Sequence, residues 1–307
     1  YMAMANYAFS NKIFVDLTYR REGSSKFPEA NRFGNFWSAG AAWNLQEENF
    51  MSSIPAINNL KLRASYGTTG NSNISINQYQ QLFGYSSNYA GTGAGFPQTF
   101  GNNDLTWEKN DLLDVGFDLG LWKDRFTATF SYFNRRTYDL LLNVPLSYTT
   151  GHTSQYRNVG EMTNKGIEIE YNFNIVRSDD LNFSLGGNFA TVKNNVTKLA
   201  KDGNGDMIEI TTSTRKVTEG EAVYSWYMRK YAGVNPDNGN AQWYINGKDG
   251  AVTETYSEAQ RAFVGGSALP KLTGGINLHI DYKGFFIDSD LYFATGHKLF
   301  EDWAAYT

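Results

Sequence analysis

The feature that most constrains this chain is a two-residue alternation of apolar and polar side chains, repeated in paired segments. After Gly166, residues 167–175 place Ile, Ile, Tyr, Phe and Ile at odd positions and Glu, Glu, Asn and Asn at even positions. Successive side chains of a β-strand point to opposite faces. The pattern therefore predicts strands with one apolar and one polar face. By itself it leaves open whether the apolar face meets a protein core or lipid.

The alternating segments come in pairs joined by short polar turns. LLDVGFDLGLWKDRFTATFSYFN turns at residues 123–124, and KLTGGINLHIDYKGFFIDSDLYFA turns at residues 283–284. Two further hairpins turn at Asn11 and across residues 176–180. Each strand has roughly ten residues, the length that a tilted strand needs to cross a bilayer. We predict about a dozen antiparallel strands in total.

Long polar or glycine-rich stretches separate these hairpins and predict long loops at the opposite end of the strands. They cover residues 22–32, 71–108, 143–165 and 195–220. Residues 47–59 are the exception, a longer connection on the side of the short turns. Short turns at one end and long loops at the other are typical of an outer-membrane β-barrel. A secreted β-sandwich or jelly roll with an aromatic-rich core is the alternative.

The polar faces favour the transmembrane antiparallel β-barrel over the sandwich. Asp114, Asp118, Glu168 and Glu170 alternate with apolar residues, and a hydrated lumen tolerates such charges. We predict that these four carboxylates face the lumen. The residues predicted to contact outer-membrane lipid are Val115, Phe117, Phe130, Ile167, Ile169, Tyr171, Phe173 and Ile276.

The composition agrees with a barrel and excludes several other classes. Aromatic residues reach 16% although apolar residues make up only 41%, a combination that suits aromatic girdles at two membrane interfaces. A net charge of −4 gives no basic footprint for nucleic acid, and the absence of cysteine excludes disulfides. The predicted girdle residues are Tyr7, Phe9, Trp37, Trp43, Trp122, Tyr132, Phe133, Tyr282 and Phe285.

No pattern predicts an enzyme, a metal site or a cofactor. His152, His279 and His297 lie in different segments without metal-ligand spacing, so we interpret them as solvated polar residues. The DGNGD run, Asp202–Asp206, begins like a calcium loop. It lacks glycine at the sixth position and glutamate at the twelfth, so a plain turn is the expected structure, with calcium as the alternative.

One long loop carries the densest mixture of aromatic and amide side chains. Aromatic faces and polar side chains are the usual lining of a ligand pocket. We therefore predict ligand contact on residues 71–108. The candidate rings in this loop are Tyr79, Phe83, Tyr85, Tyr89 and Phe96. The alternative is that the same rings pack the loop against itself or against a protein that covers it.

Several long motifs, in order along nearly the whole chain, resemble the SusC/RagA-like TonB-dependent transporters of the Bacteroidota outer membrane. They are RREGSSKF, NRFGNFWSAGAAWNLQEENF, LKLRASYGTTGN, GNNDLTWEKND, NVGEMTNKGIEIE, RKYAGVNPDNGNAQWY and VGGSALPKLTGGINLHIDYKGF. The resemblance implies a barrel of twenty-two strands, of which residues 1–307 would supply the later-middle portion. It also implies a plug domain and a TonB box, and we expect neither within this chain.

The same resemblance implies a function and its partners. The expected function is active, TonB-dependent import of an oligosaccharide or a peptide across the bacterial outer membrane. The implied partners are a SusD-like lipoprotein, the TonB–ExbB–ExbD complex and a second transporter–lipoprotein pair. A passive outer-membrane pore or a surface adhesin is the alternative function.

Overall fold

The computed structural model describes residues 1–202 and 205–301, which form twenty-two β-strands and five short 3-10 helices. The strands are β1 (Met2–Phe9), β2 (Ile13–Gly23), β3 (Phe33–Asn44), β4 (Ile57–Asn71), β5 (Phe83–Tyr89), β6 (Thr92–Pro97), β7 (Glu108–Leu121), β8 (Phe126–Tyr138), β9 (Leu141–Pro145), β10 (Ser154–Asn158), β11 (Glu161–Arg177), β12 (Leu181–Thr191), β13 (Lys193–Lys198), β14 (Ile210–Thr211), β15 (Lys216–Val217), β16 (Ser225–Arg229), β17 (Tyr231–Val234), β18 (Ala241–Tyr244), β19 (Val252–Thr253), β20 (Arg261–Ser267), β21 (Leu272–Tyr282) and β22 (Phe285–Thr295). The 3-10 helices are Glu29–Asn31, Leu45–Glu47, Asn49–Ser53, Tyr148–Thr150 and Tyr256–Glu258.

Eleven of these strands form one antiparallel sheet, which confirms the predicted all-β fold. The order along the sheet is β1-β2-β3-β4-β7-β8-β11-β12-β21-β22, with β1 and β22 at its two edges. The eleventh strand, β13, pairs with Glu161–Lys165 of β11, beyond the end of β12. Each strand therefore pairs with its neighbour in the chain or with the strand that follows an inserted loop, as the hairpin pattern predicted.

The short turns lie at the positions predicted from the sequence. Lys283 and Gly284 alone connect β21 to β22, with φ of 50° and 88°. Two consecutive positive φ angles match the twist of a hairpin, and glycine adopts such an angle without steric cost. Residues 10–12, 122–125 and 178–180 form the other short turns, and residues 45–56 form the predicted longer connection at the same end.

The long connections lie at the opposite end of the sheet and contain the smaller sheets. Residues 24–32, 72–107, 139–160 and 192–271 connect the long strands there. Within them, β5 pairs with β6, β9 with β10, β14 with β15 and β16 with β20, while β17, β18 and β19 form a three-stranded sheet. The described parts of these loops thus contain regular strand pairs.

Two irregularities interrupt the regular alternation of β11. Asn174 pairs with Ser184 but Val176 pairs with Phe183, so a β-bulge lies at Ile175. The bulge follows the predicted alternation and places Val176 on the same side of the sheet as Phe183. At the other end of β11, the partner strand breaks at Val192 between β12 and β13.

Candidate functional site

The register of the sheet places the four predicted lumenal carboxylates on one face. Directly paired residues of an antiparallel sheet project from the same side. Glu170 pairs with Thr129, Thr129 with Asp118, and Asp118 with Lys61, which gives one polar row across four strands. Glu168 pairs with Ser131 in the adjacent row, and Asp114 with Ser65 in the row beyond it. We call this side of the sheet the polar face.

Arg63 organises the charges at one part of the polar face. Its Nη2 donates to Oγ of Ser131 at 2.9 Å, and its Nε lies 3.4 Å from Oδ1 of Asp118. Its Nη1 lies 3.9 Å from Oδ1 of Asp114, so one guanidinium serves two carboxylates. Among the residues that the structure describes, no side-chain hydrogen bond or ion pair engages the carboxylates of Glu168 and Glu170, although Arg63 lines the same cleft. The polar face therefore carries two carboxylates outside any direct ion pair, an arrangement suited to water.

The opposite side of the sheet, which we call the apolar face, is continuous across the strands. Leu62 pairs with Phe117, Phe117 with Phe130 and Phe130 with Ile169, and Ile169 pairs with Phe189. The rings of Phe117 and Phe130 stack with centroids 5.3 Å apart. All eight residues predicted to contact lipid lie on this face by register: Val115, Phe117, Phe130, Ile167, Ile169, Tyr171, Phe173 and Ile276. A patch of this extent marks a surface that contacts something other than water.

One of the predicted girdle residues is on the wrong face. Phe133 pairs with Asp114 and therefore belongs to the polar face. Its ring lies over Gly166, because a Cβ at that glycine would come within 3.0 Å of Phe133 Cζ. Phe133 thus covers a glycine of the neighbouring strand, a packing role that its place near a strand end does not reveal.

A small hydrophobic core fixes the long loops to the ends of the strands. Phe27 and Leu105 are fully buried and pack with Phe36, Ile74 and Trp107. The indole of Trp107 lies 5.3 Å from the ring of Phe27, and its Nε1 donates to the carbonyl oxygen of Arg32 at 3.2 Å. This core joins residues of the 24–32 and 72–107 connections to β3, and it holds the loops above the sheet.

The five predicted ligand-contacting rings divide into three groups. Tyr79 packs against the hydrophobic core at the base of the loop, which is a structural role. Phe83, Tyr85 and Tyr89 lie on the β5–β6 hairpin, and the last two are 77% and 81% exposed. Phe96 lies on the same hairpin but also lines a cleft. The structure therefore does not gather the five rings into one site.

The cleft lies between two long connections, residues 72–107 and 139–160. It encloses about 410 Å³, within the range of small-molecule sites. Phe96 and Phe100 line one side, and His152 lines the other. The imidazole of His152 stacks on the ring of Phe100, with centroids 5.1 Å apart and an interplanar angle of 19°. The second wall comes from residues 139–160, which no sequence pattern singled out, and His152 was predicted to be a solvated or lumenal polar residue.

Three side-chain amides fasten the two walls of the cleft to each other. Asn102 Nδ2 donates to the carbonyl oxygen of Tyr156 at 2.8 Å, and Gln155 Nε2 donates to that of Gly101 at 2.7 Å. Asn158 Oδ1 accepts from the backbone N–H of Thr106 at 2.7 Å. Gln155 is itself buried. Because these bonds cross from one loop to the other, the cleft has a fixed width.

The 192–271 connection contains a further polar cluster around Glu254. The side chains of Asn235, Asn238 and Asn240 all donate to its carboxylate, at distances from 2.5 to 3.1 Å. These hydrogen bonds, from Asn235 first, then Asn240 and Asn238, hold the pKa of Glu254 below its ordinary value. The cluster ties the Asn235–Asn240 turn to the segment after β19.

The predicted calcium alternative at Asp202–Asp206 lies partly outside the described residues, which omit 203 and 204. The backbone N–H of Asp206 donates to Oδ1 of Asp202 at 2.9 Å, as in a turn. Within residues 1–202 and 205–301, no group of three or more His, Asp or Glu side chains is placed to hold a metal ion. Over the same residues, no helix has the length and hydropathy to span a membrane.

Sequence comparisons place this architecture among known proteins. A family model described as TonB dependent receptor-like, beta-barrel, matches residues 1–296. TonB-dependent receptor P3 of Formosa agariphila is 35% identical over 312 residues, which cover 94% of this chain and 30% of that protein. TonB-dependent receptor SusC of Bacteroides thetaiotaomicron is 30% identical over 259 residues, which cover 78% of this chain and 25% of that protein.

The structural comparison agrees. The solved structure of the RagAB peptide transporter matches with a TM-score of 0.87 and 30% sequence identity. The match covers 96% of this chain and 33% of that one. The chain thus spans about a third of the length of the relatives that it resembles.

Proposed function

Because this chain belongs to the TonB-dependent receptor-like β-barrel family, we propose that it forms part of the wall of an outer-membrane transporter that actively imports a nutrient. The observation that carries this proposal is the match of nearly the whole chain, at a TM-score of 0.87, to the RagAB peptide transporter. The separation of apolar and polar faces supports it, because a barrel wall must meet lipid on one side and water on the other.

The two faces of the sheet have different roles in this proposal. We propose that the apolar face contacts lipid and that Asp114, Asp118, Glu168 and Glu170 face an aqueous lumen. Glu168 and Glu170 support this orientation most directly, because an unpaired carboxylate is costly in hydrocarbon and tolerated in water. Residues 1–307 would supply wall and loops, and the plug domain and TonB box would lie elsewhere in the protein.

The partners follow from the family and are also proposals. A SusD-like lipoprotein would cover the loop end of the barrel, and the TonB–ExbB–ExbD complex would supply energy from the periplasm. Two such transporter–lipoprotein pairs could form a dimer. The proposed substrate is an oligosaccharide or a peptide, and the similarity to the RagAB peptide transporter supports the peptide. We propose no catalytic role for any of the described side chains.

Uptake measurements in the native organism test this function. A strain that lacks the gene is compared with the parent for uptake of labelled oligosaccharides and peptides, with and without a protonophore. We expect uptake of at least one substrate to require both the gene and the proton-motive force. Uptake that requires the gene but survives the protonophore would instead indicate a passive pore. Unchanged uptake together with lost surface adhesion would indicate an adhesin.

A further inference from the structure

The cleft between residues 72–107 and 139–160 has a lining without permanent charge. No Asp, Glu, Lys or Arg side chain is among the described residues that line it. The polar face of the sheet differs, since its clefts are lined by Glu168, Glu170 and Asp290, with Arg63 beside the first two. A charged ligand that left water for this cleft would find no counter-charge, which costs free energy. The lining therefore selects against charged ligands.

The polar groups of the cleft are amides and hydroxyls with unused hydrogen-bonding capacity. Gln78, Gln98 and Asn143 line it, and no hydrogen bond among the described residues engages their side-chain amides. The hydroxyls of Thr153 and Ser154 are likewise free within the described part of the chain. An amide presents an acceptor oxygen and two donor hydrogens, and a hydroxyl both donates and accepts. Such a set complements ligand hydroxyls, which have the same dual character.

The apolar groups of the cleft are flat rings. Phe96 and Phe100 line the same wall, and the imidazole of His152 extends the flat surface through its stacking on Phe100. A sugar ring presents C–H groups on its faces and hydroxyls at its edge. It can therefore bury a face on an aromatic ring while its edge bonds to the surrounding amides.

We propose that this cleft binds an uncharged, hydroxyl-rich ligand, namely a segment of a neutral oligosaccharide. The proposal rests on the proposed import function and narrows its substrate to one class. A peptide fits less well, because its termini and many of its side chains are charged, and an acidic glycan brings carboxylates that have no partner here. The cross-loop bonds of Asn102, Gln155 and Asn158 support a preformed site, which reduces the entropy cost of binding.

Calorimetry on the intact transporter, purified from outer membranes in detergent, tests the proposal. The probes are a panel of neutral gluco-, manno- and xylo-oligosaccharides, a panel of uronate-containing oligosaccharides and a panel of peptides of similar size. We expect binding to at least one neutral oligosaccharide. Phe100→Ala should weaken that binding by about tenfold, since ring stacking contributes up to about 1.5 kcal/mol.

Two further variants make the result specific to the cleft. Gln98→Leu, which removes the donor and acceptor atoms of one amide from the lining, should also weaken binding of the neutral ligand. Tyr148→Ala is the matched control, because this ring belongs to the 139–160 connection but lies outside the cleft and is 86% exposed. Its affinity should equal that of the parent protein.

Several outcomes would overturn the proposal. They are binding to no neutral oligosaccharide, binding to peptides or uronates alone, and an affinity for the neutral ligand that Phe100→Ala leaves unchanged. The import function is judged separately, by uptake with and without a protonophore. Energy-dependent uptake of a peptide would retain that function and refute the neutral-glycan cleft. Binding of a neutral glycan in the cleft, together with energy-independent uptake, would retain the neutral-glycan cleft and refute the import function.

Discussion

Ile169 and Glu170 are adjacent in the chain and lie on opposite faces of the sheet. Ile169 pairs with Phe130 and Phe189, whereas Glu170 pairs with Thr129 and Asn188. The alternation in sequence was enough to predict this separation, because side-chain direction in a strand has a period of two. The alternation also places Phe133 on the polar face, but it does not show that the Phe133 ring covers Gly166 of the next strand. That kind of contact depends on cross-strand register, which a single strand does not encode.

The faces can be tested with one pair of neighbouring substitutions. Ile169→Arg should destabilise the barrel by about 2–4 kcal/mol, because it places a charge in the hydrocarbon core. Glu170→Arg adds the same side chain on the polar face and should cost much less. The measurement is the urea midpoint of the purified transporter in phospholipid bilayers. Equal losses of stability for the two variants would contradict the assignment of lipid and lumen.

At the scale of elements, β11 is a strand whose partner on one side changes part-way along its length. It pairs with β8 on one side and with β12 and then β13 on the other. The partner strand breaks at Val192, and there the carbonyl oxygen of Thr191 lies over Gly166. The turns, the long loops and the strands of the main sheet were predictable from local sequence. The break and the bulge at Ile175 were not, since they arise where strands of different length meet.

Gly166→Ala tests this fit between elements. A Cβ at Gly166 would overlap the carbonyl oxygen of Thr191, so β11 or β12 must move. Overpacking of this kind typically costs about 1–3 kcal/mol. Gly93→Ala, on the β5–β6 hairpin, is the control, because a Cβ there meets no atom within 4 Å. We expect a lower urea midpoint for the first variant and an unchanged one for the second. A Gly166→Ala protein as stable as the parent would show that the break is readily rearranged.

At the scale of the whole molecule, we propose that the sheet supplies the barrel wall and that the loops supply recognition. The hydrophobic core around Phe27 and Leu105 lies between the sheet and the loops. It packs the bases of the loops against β3, and the β5–β6 hairpin lies outside it. The sequence predicted ligand contact on residues 71–108, but it could not divide the rings of that loop among core, hairpin and cleft. The second wall of the cleft comes from residues 139–160, and a contact between distant loops leaves no periodic signal in the sequence.

Because the β5–β6 hairpin lies outside the hydrophobic core, we predict that it can be removed without unfolding the barrel. The backbone N–H of Gln98 donates to the carbonyl oxygen of Leu82 at 2.7 Å, so the two ends of the hairpin already meet. Residues 83–97 can therefore be replaced by a two-residue Asn-Gly turn, a sequence that closes hairpins of this kind. The excision removes Phe83, Tyr85, Tyr89 and Phe96 and leaves Tyr79 in the hydrophobic core.

We expect the excised transporter to stay folded and heat-resistant in detergent, because the strands and the hydrophobic core are intact. Nutrient uptake or capture of the surface lipoprotein should be lost, since the exposed rings and the Phe96 part of one cleft wall are gone. Gel mobility before and after heating reports the fold, and co-purification and uptake report the function. A strain that carries the excision yet imports its nutrient and retains its lipoprotein would show that the hairpin serves neither purpose. The Phe100→Ala variant then isolates the contribution of the cleft, because it leaves the hairpin in place.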